Sequence, residues 1–485
     1  MYTWMPLKST SDLDGLRTEV SAEYNPESVV KKLKTGLSDA VKGVLIERKY
    51  VDKDYRSTYY NFYAKKGQTY RNDCVRLHFF DETVSFNPKA LRLTCKDREL
   101  KDHYFGYMVL RPTGIATIGR SVLSPDVRKD ASGFIITANH KVHILGYKLW
   151  ISGFPSMDQH RDISVCAHAA CWSILRHYSE NFTIYREFLT HDITLMTHEF
   201  NPGGLVPSKG LQVSHAERVF QEAGTFPVHV ARAKGQPDPS FYRQLHSYVE
   251  SGFPLFAAMH ARGHAMAVVG YEWRAALSDP VTAMRYAWDE VKSVVVVDDN
   301  YLPYMTIPAQ GPGTPYSGSD IDAFIVALPE KVFYPADAVD RLAPTIFKLG
   351  MLLHLPAQNE AIIRYFITTG SALRNFMRNR ESEFDPKLIE AVMALPFSQF
   401  IWVVELATGS DWAKGQISAR AVLDATASLR EDMPFWLLHN RSKALLFDRG
   451  SVGAGAKGIR ELTLTGMEKT SFTRWDRNLR PTQKK

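Results

Sequence analysis

The sequence predicts an α+β protein in three parts: an N-terminal α+β domain over residues 1–125, a central domain over 126–335 and a C-terminal α/β domain over 336–485. Three observations lead there. The chain has 485 residues, beyond the roughly 100–200 of a typical domain. The run of helix and strand patterns changes character after Ser124-Pro125 and again after Tyr334. In the middle stretch a nearly all-apolar helical pattern is followed by short apolar runs of strand type. This predicts a central domain in which a buried helix packs on β-structure.

Composition narrows the class. Hydrophobic residues are 45%, charged residues 23% and aromatics 12%, values of an ordinary folded protein rather than a disordered chain. No apolar run approaches the roughly 18–20 residues of a membrane span; the best, Ile346–Leu355, is short and carries Lys348 and His354, so no membrane partner is expected. The N-terminus, MYTWMPLKSTSDLDGL, lacks the charged head, apolar core and cleavage site of a secretory signal. A cytoplasmic location is expected. The four cysteines, Cys74, Cys95, Cys166 and Cys171, contain no CxxC pair, which predicts free thiols rather than disulfides or a zinc knot. The net charge is +7. More than half of that excess falls in the last 18 residues, which are expected to form a solvated, frayed tail rather than a nucleic-acid contact.

Along the first domain, Asp52 or Asp54 is placed to cap a helix in which Tyr55, Tyr59, Phe62 and Tyr63 recur at three- and four-residue spacing. Val75–Phe80 and Tyr104–Leu110 read as strands, and the Gly119-Arg120 pair as a structural loop feature. In the central domain, Ile135–Ile151 reads as β-structure feeding the loop GFPSMDQHRDIS. Ala167–Tyr178 follows as a buried helix, then the flexible Pro202-Gly203-Gly204 stretch and a helix over Leu211–Ala223 ended by Gly224. Phe253–Met259, Ala265–Tyr271 and Val294–Val297 read as strands, and Pro308–Ser319 as a Gly- and Pro-rich loop beside a cleft. The third domain alternates: strands at Ile362–Ile367, Phe400–Leu406, Arg420–Ala425 and Phe435–Leu438, with helices around Ser371–Arg380 and Pro386–Leu395. GSVGAGAKG (Gly450–Gly458) fits neither a Walker loop nor a dinucleotide fingerprint.

A cysteine, a histidine and an acid occur in order, each in a setting suited to nucleophilic catalysis. Cys166, in HRDISVCAHAACWSILRHY, falls in the first turn of its helix with Asp162 or Ser164 as the cap. Free backbone N–H groups and the helix dipole there favour thiolate, the nucleophilic form. Cys171 lies about 140° around the helix, so the two thiols cannot face one site. His264, in ARGHAMAVVGY, follows a turn glycine and opens a buried strand, which holds the ring rigidly while leaving it accessible as a proton acceptor. His260 is less well anchored. Asp298 ends the strand of VVVVDDN, with Asp299 beside it, placed to fix the imidazole tautomer. Gln159, on the loop before the helix, can donate its amide to an oxyanion together with the Cys166 N–H. Each residue alone has an ordinary structural reading; their agreement in order and context carries the inference.

Over Gly146–Pro303 these features resemble the papain-like cysteine peptidases, in particular the bacterial group that processes double-glycine leaders. Gln159, Cys166 followed by AHAAC, GHAMAVVGY and VVVVDD stand where that group has its glutamine, helix-start cysteine, histidine strand and strand-end aspartate. Ala167 replaces the usual glycine, and Asp299 the usual proline. Cys171-Trp172 also looks like the Cys-Trp pair of papain, so the nucleophile stays open between Cys166 and Cys171, and the acid between Asp298 and Asp299. The resemblance implies a papain-like central fold and a cytoplasmic thiol hydrolase acting on a protein or peptide through Cys166, His264 and Asp298, with Gln159 at the oxyanion. No cofactor or metal is expected for such chemistry; a metal site built on Cys166, His168 and His264 is disfavoured because positions i and i+2 of a helix point apart. The flanking domains would select substrate or receive a regulatory protein partner. Acyl transfer of transglutaminase type and a non-catalytic binding module are the competing readings.

Overall fold

The computed structural model describes all residues except 22–23, 25, 97–98, 114–117, 161, 163, 198–210, 234–237, 278–279, 354, 356, 450–457, 466–469, 477 and 483–485. The Pro202-Gly203-Gly204 stretch and all of GSVGAGAKG but its last glycine lie outside the described residues. Mixed helix and strand are organised around three large sheets, and antiparallel pairing dominates all of them. Among the described strands, the parallel pair is the short Arg285–Tyr286 against Ala361–Thr369.

The first sheet runs in the order Tyr2–Pro6, Gly43–Tyr50, Cys74–Phe80, Tyr104–Leu110, Ile118–Leu123, Tyr147–Ser156, Ala138–Ile144. Its last two strands come from beyond residue 125, so the N-terminal sheet continues to the loop that precedes the Cys166 helix. Both faces are covered. Val75, Leu77 and Phe79 pack on one side with Leu16, Val20, Val29 and Leu33 from two helices, while Cys74 and Phe80 face the other side with Tyr55 and Tyr63. This two-sided burial leaves every residue of Cys74–Phe80 buried, Arg76 and His78 included, with Arg76 donating to Glu47 at 2.8 Å. The aromatic-rich helix forms over Lys53–Asn61, and Asp52 is its cap, accepting from the Tyr55 N–H at 3.0 Å. Arg120 is structural, donating to Glu187 at 2.9 Å and pairing with Asp52 at 3.2 Å.

The second sheet has the order Phe226–Ala231, Ala323–Leu328, Leu255–Met259, His264–Trp273, Val291–Val297, Met305–Pro308, with Phe134–Ile135 attached to the histidine strand. The helix Cys166–Asn181 packs against this sheet. The third sheet, from Ala361–Thr369 to Ile459–Thr463, is an antiparallel meander with helices Gly370–Arg378 and Pro386–Ala394. The expected α/β character of residues 336–485 is therefore corrected to α+β: consecutive strands are joined by connections that return them antiparallel.

The third sheet shares its core with the second. Ile363, Tyr365 and Ile367 face the central core, whereas Ile362 and Phe366 face a separate cluster under the outer helices, the period-two alternation of a sheet covered on both sides. A buried ionic network reinforces the junction. Arg364 pairs with Glu250 of the central helix Pro239–Glu250 and with Glu405 at 2.8 Å, while Glu405 also receives Arg420 at 2.7 Å.

The basic terminus is not frayed through its described residues. Phe472–Thr473 pairs with Gln416–Ile417, Trp475 is buried and donates its N–H to Glu405 at 3.0 Å, and Arg474 lies over Trp412 and Trp273. Arg480–Pro481 then adds a strand beside Phe134–Ile135 of the second sheet. Positive charge in this tail did not predict exposure because the intervening apolar residues Phe472, Trp475 and Leu479 decide its path.

Candidate active site

Cys166 is the first residue of its helix and half-buried. The helix begins there because Val165 is extended and the Ala169 N–H already returns to the Val165 carbonyl at 3.2 Å. The expected caps do not serve. Ser164 Oγ accepts from the His160 N–H at 3.0 Å, Asp162 pairs with Lys66 at 3.0 Å, and His168 Nδ1 instead accepts from the Val165 N–H at 3.3 Å. A histidine three residues into a helix is an uncommon cap, so the usual Ser/Asp signal pointed to the wrong side chains. The helix start and its free N–H groups remain beside the thiol.

The histidine strand is set by Gly263, which ends the turn His260–Arg262 at φ +58°. That left-handed conformation is natural to glycine and turns the chain directly into His264. His264 pairs with Met259 on one side of the strand, and three residues on Ala267 pairs with Val297 on the other. Asp298 follows Val297 immediately, so the sheet register itself brings the acid to the histidine.

His264 joins the two other groups. Its Nε2 is hydrogen-bonded to Asp298 Oδ2, and its ring is within hydrogen-bonding reach of the Cys166 thiol. With Nε2 engaged by the acid, Nδ1 is the nitrogen left for sulfur. Burial lowers the proton affinity of this imidazole, but Asp298 and Cys166 outweigh it and push the His264 pKa up to about 10. Asp298 is held in turn: Oδ1 accepts from the Asn300 N–H at 2.7 Å. The competing acid lies farther off. Asp299 Oδ1 is 3.9 Å from His264 Nε2, and its buried Oδ2 has no hydrogen-bond partner among the described residues. Burial, and then the charge of Asp298, raise the Asp299 pKa to about 7.

The competing thiol and imidazole are elsewhere. Cys171 is fully buried, and burial pushes its pKa far up. His260 is exposed and held by Asp322, Nδ1 to Oδ1 at 2.5 Å. His168 is buried against the helix start, its Nδ1 accepting from the Val165 N–H. Three donor atoms, from His264, Asp298 and Asp299, do lie within 4.8 Å of one another. The nitrogen facing both carboxylates there is the one already bonded to Asp298.

Gln159 is half-buried on the loop between the strand Tyr147–Ser156 and the cysteine helix, and its amide has no hydrogen-bond partner among the described residues. Its neighbours are pinned. The Asp158 N–H donates to the Ile118 carbonyl at 3.0 Å, the Asp158 carbonyl accepts from Arg111 at 2.9 Å, and His160 Nδ1 lies 3.2 Å from the Tyr63 hydroxyl. An amide donor held between two fixed residues has the chemistry of an oxyanion ligand.

Two aromatic residues at the site had no signal in the sequence beyond their place in or near a Gly- and Pro-rich loop. Tyr316 stacks on the His264 ring, with centroids 5.4 Å apart and planes 23° apart, and Tyr301 meets Tyr316 edge-on. Tyr316 thus covers one face of the imidazole. Among the described residues, no helix is long and apolar enough to cross a membrane. No family model, curated protein or solved structure matches this chain.

Proposed function

We propose that this protein is a papain-like thiol hydrolase that cuts a peptide or isopeptide bond in a protein or peptide substrate. The observation that carries the reading is the single imidazole of His264, hydrogen-bonded to the Asp298 carboxylate and within reach of the Cys166 thiol at a helix start. In this reading the proton of Cys166 rests on His264, and the thiolate attacks the substrate carbonyl carbon. The carbonyl oxygen, now an anion, is received by the Gln159 amide and backbone N–H at the helix start. His264 gives its proton to the leaving amine as the C–N bond breaks, leaving a thioester on Cys166. A water then adds to the thioester while His264 takes its proton, and the carboxylate leaves as the thiol is restored. Asp298 stabilises the imidazolium at both stages.

The test is digestion of a peptide library, read by mass spectrometry, with Cys166→Ala as the blank and half of the water labelled with ¹⁸O. The proposal expects cleavages absent from the blank, with label in the new carboxyl group. Products joined to an added amine, without label, indicate acyl transfer instead. Equal patterns for wild type and blank contradict catalysis by this thiol.

A further inference from the structure

Lys32 lies far from the cysteine in sequence, on the helix Glu27–Gly36 beneath the first sheet. Its ammonium group is nonetheless buried at the site, where it donates to Asp158 Oδ1 at 2.5 Å and to the Asp299 carbonyl oxygen at 2.6 Å. The two partners each adjoin a residue of the proposed machinery: Asp158 precedes Gln159, and Asp299 follows Asp298. Both side chains of the ion pair are more than nine-tenths buried, at 9% and 8% exposure. We propose that Lys32 is a positioning residue that fixes the oxyanion loop and the acid loop relative to one another. This rests on the hydrolase reading above.

Geometry supports a bridging role over simple packing. A lysine needed only to neutralise Asp158 has no reason to spend a second short hydrogen bond on a backbone carbonyl of another loop. The acid loop also lacks a strand of its own at this point: Val291–Val297 ends just before Asp298, and Met305 begins the next strand. Two further contacts from the same N-terminal region hold the loop from behind. Arg128 Nη1 donates to the Leu302 carbonyl at 2.7 Å, and Leu302 packs so closely on Gly36 that a Cβ there would sit 3.1 Å from Leu302 Cδ2. Gly36 closes the helix that carries Lys32. Among the described residues, Lys32 is the one charged group hydrogen-bonded to both loops.

Two reactions at Cys166 separate the functions of the two loops. Alkylation by iodoacetamide at pH 6 requires only the thiolate and imidazole, whereas acylation by p-nitrophenyl acetate, read as a burst of nitrophenolate, also requires the oxyanion donor. Lys32→Met alone leaves a carboxylate buried without its cation and is prone to misfold. The main variant is therefore the double change Lys32→Met with Asp158→Asn, and Lys32→Gln, which keeps a donor for the Asp299 carbonyl, is the second. We expect the double variant to melt cooperatively yet lose about ten- to a hundredfold in the acylation burst, the scale of loss that accompanies small displacements of catalytic groups. Its alkylation at pH 6 should fall less, and Lys32→Gln should recover part of both rates. Wild-type rates within about twofold in the folded double variant, or in Lys32→Gln if the double variant does not fold, overturn the positioning role. Failure of the wild-type protein to react by either route defeats the hydrolase reading, and this inference falls with it.

Discussion

His264 is the residue on which the proposed chemistry turns, because it is hydrogen-bonded to Asp298 and interacts with Cys166. Its pKa, raised from 6.5 to about 10, links the site to stability. A raised value means the folded state holds the proton more tightly, so this stabilisation is complete below about pH 6.5 and is lost as pH rises through about 10. Asp299, raised from 3.8 to about 7, behaves likewise over a lower window: its contribution is complete below about pH 3.8 and is gone above about pH 7. Thermal melting of Asp299→Asn across pH 4–8 is expected to lose the decline that wild type shows in that window, while Cys166 alkylation stays within about twofold. Asp298→Ala should instead slow that alkylation at pH 6, because the imidazolium loses its counter-charge. The choice between these acids was not legible in VVVVDDN: either aspartate follows a buried strand, and only the exact strand end and the turn bond from Asn300 to Asp298 separate them. That the two thiols face different ways was legible in helical periodicity; that Cys171 is the buried one was not, since it depends on packing against distant strands. Cys171→Ser is expected to leave Cys166 reactivity intact and to lower unfolding stability by about 1–3 kcal/mol, the cost of burying an unpaired hydroxyl, measurable by urea titration.

At the scale of elements, the site is made where a helix starts, a strand starts and a strand ends. Those three termini were readable because each carries a local cause: apolar helical periodicity after Val165, the turn glycine before His264, and the valine run before Asp298. Gly263→Ala tests one of them. The left-handed φ of +58° costs a non-glycine residue roughly 1 kcal/mol, and the expected result is a small loss of stability with a disproportionate loss of Cys166 alkylation at pH 6 as His264 shifts. The helix cap was not readable, because a histidine bonding back to the Val165 N–H has no distinctive pattern. Neither was the burial of Lys32, one of three lysines on its helix, or of Arg364 within an apolar strand, since a charge reads as solvent-facing until its partner in a distant segment is known.

The whole molecule departs most from what the chain order implied. Breaks placed at Ser124-Pro125 and after Tyr334 followed changes in the helix and strand pattern, yet strands beyond 125 complete the first sheet and the third sheet shares the central core. Long-range pairing of this kind leaves no mark on local periodicity. Its energetic content can be measured at the Arg364 junction with Glu250 and Glu405. Arg364→Met leaves the buried Glu250 carboxylate without its cation, while Glu405 keeps Arg420, and is expected to lower stability by about 3–5 kcal/mol in denaturant, with the central and C-terminal regions still unfolding in one transition if their shared core makes them one unit. The thiolate–imidazolium pair is tested by the pH dependence of iodoacetamide alkylation at Cys166, read site by site in wild type and His264→Ala. The account predicts reaction at pH 6, far below the ordinary thiol pKa of about 8.5, at a rate well above that of Cys95 and lost in the variant. A Cys166 rate that rises only near pH 8.5 and is the same in both proteins contradicts it.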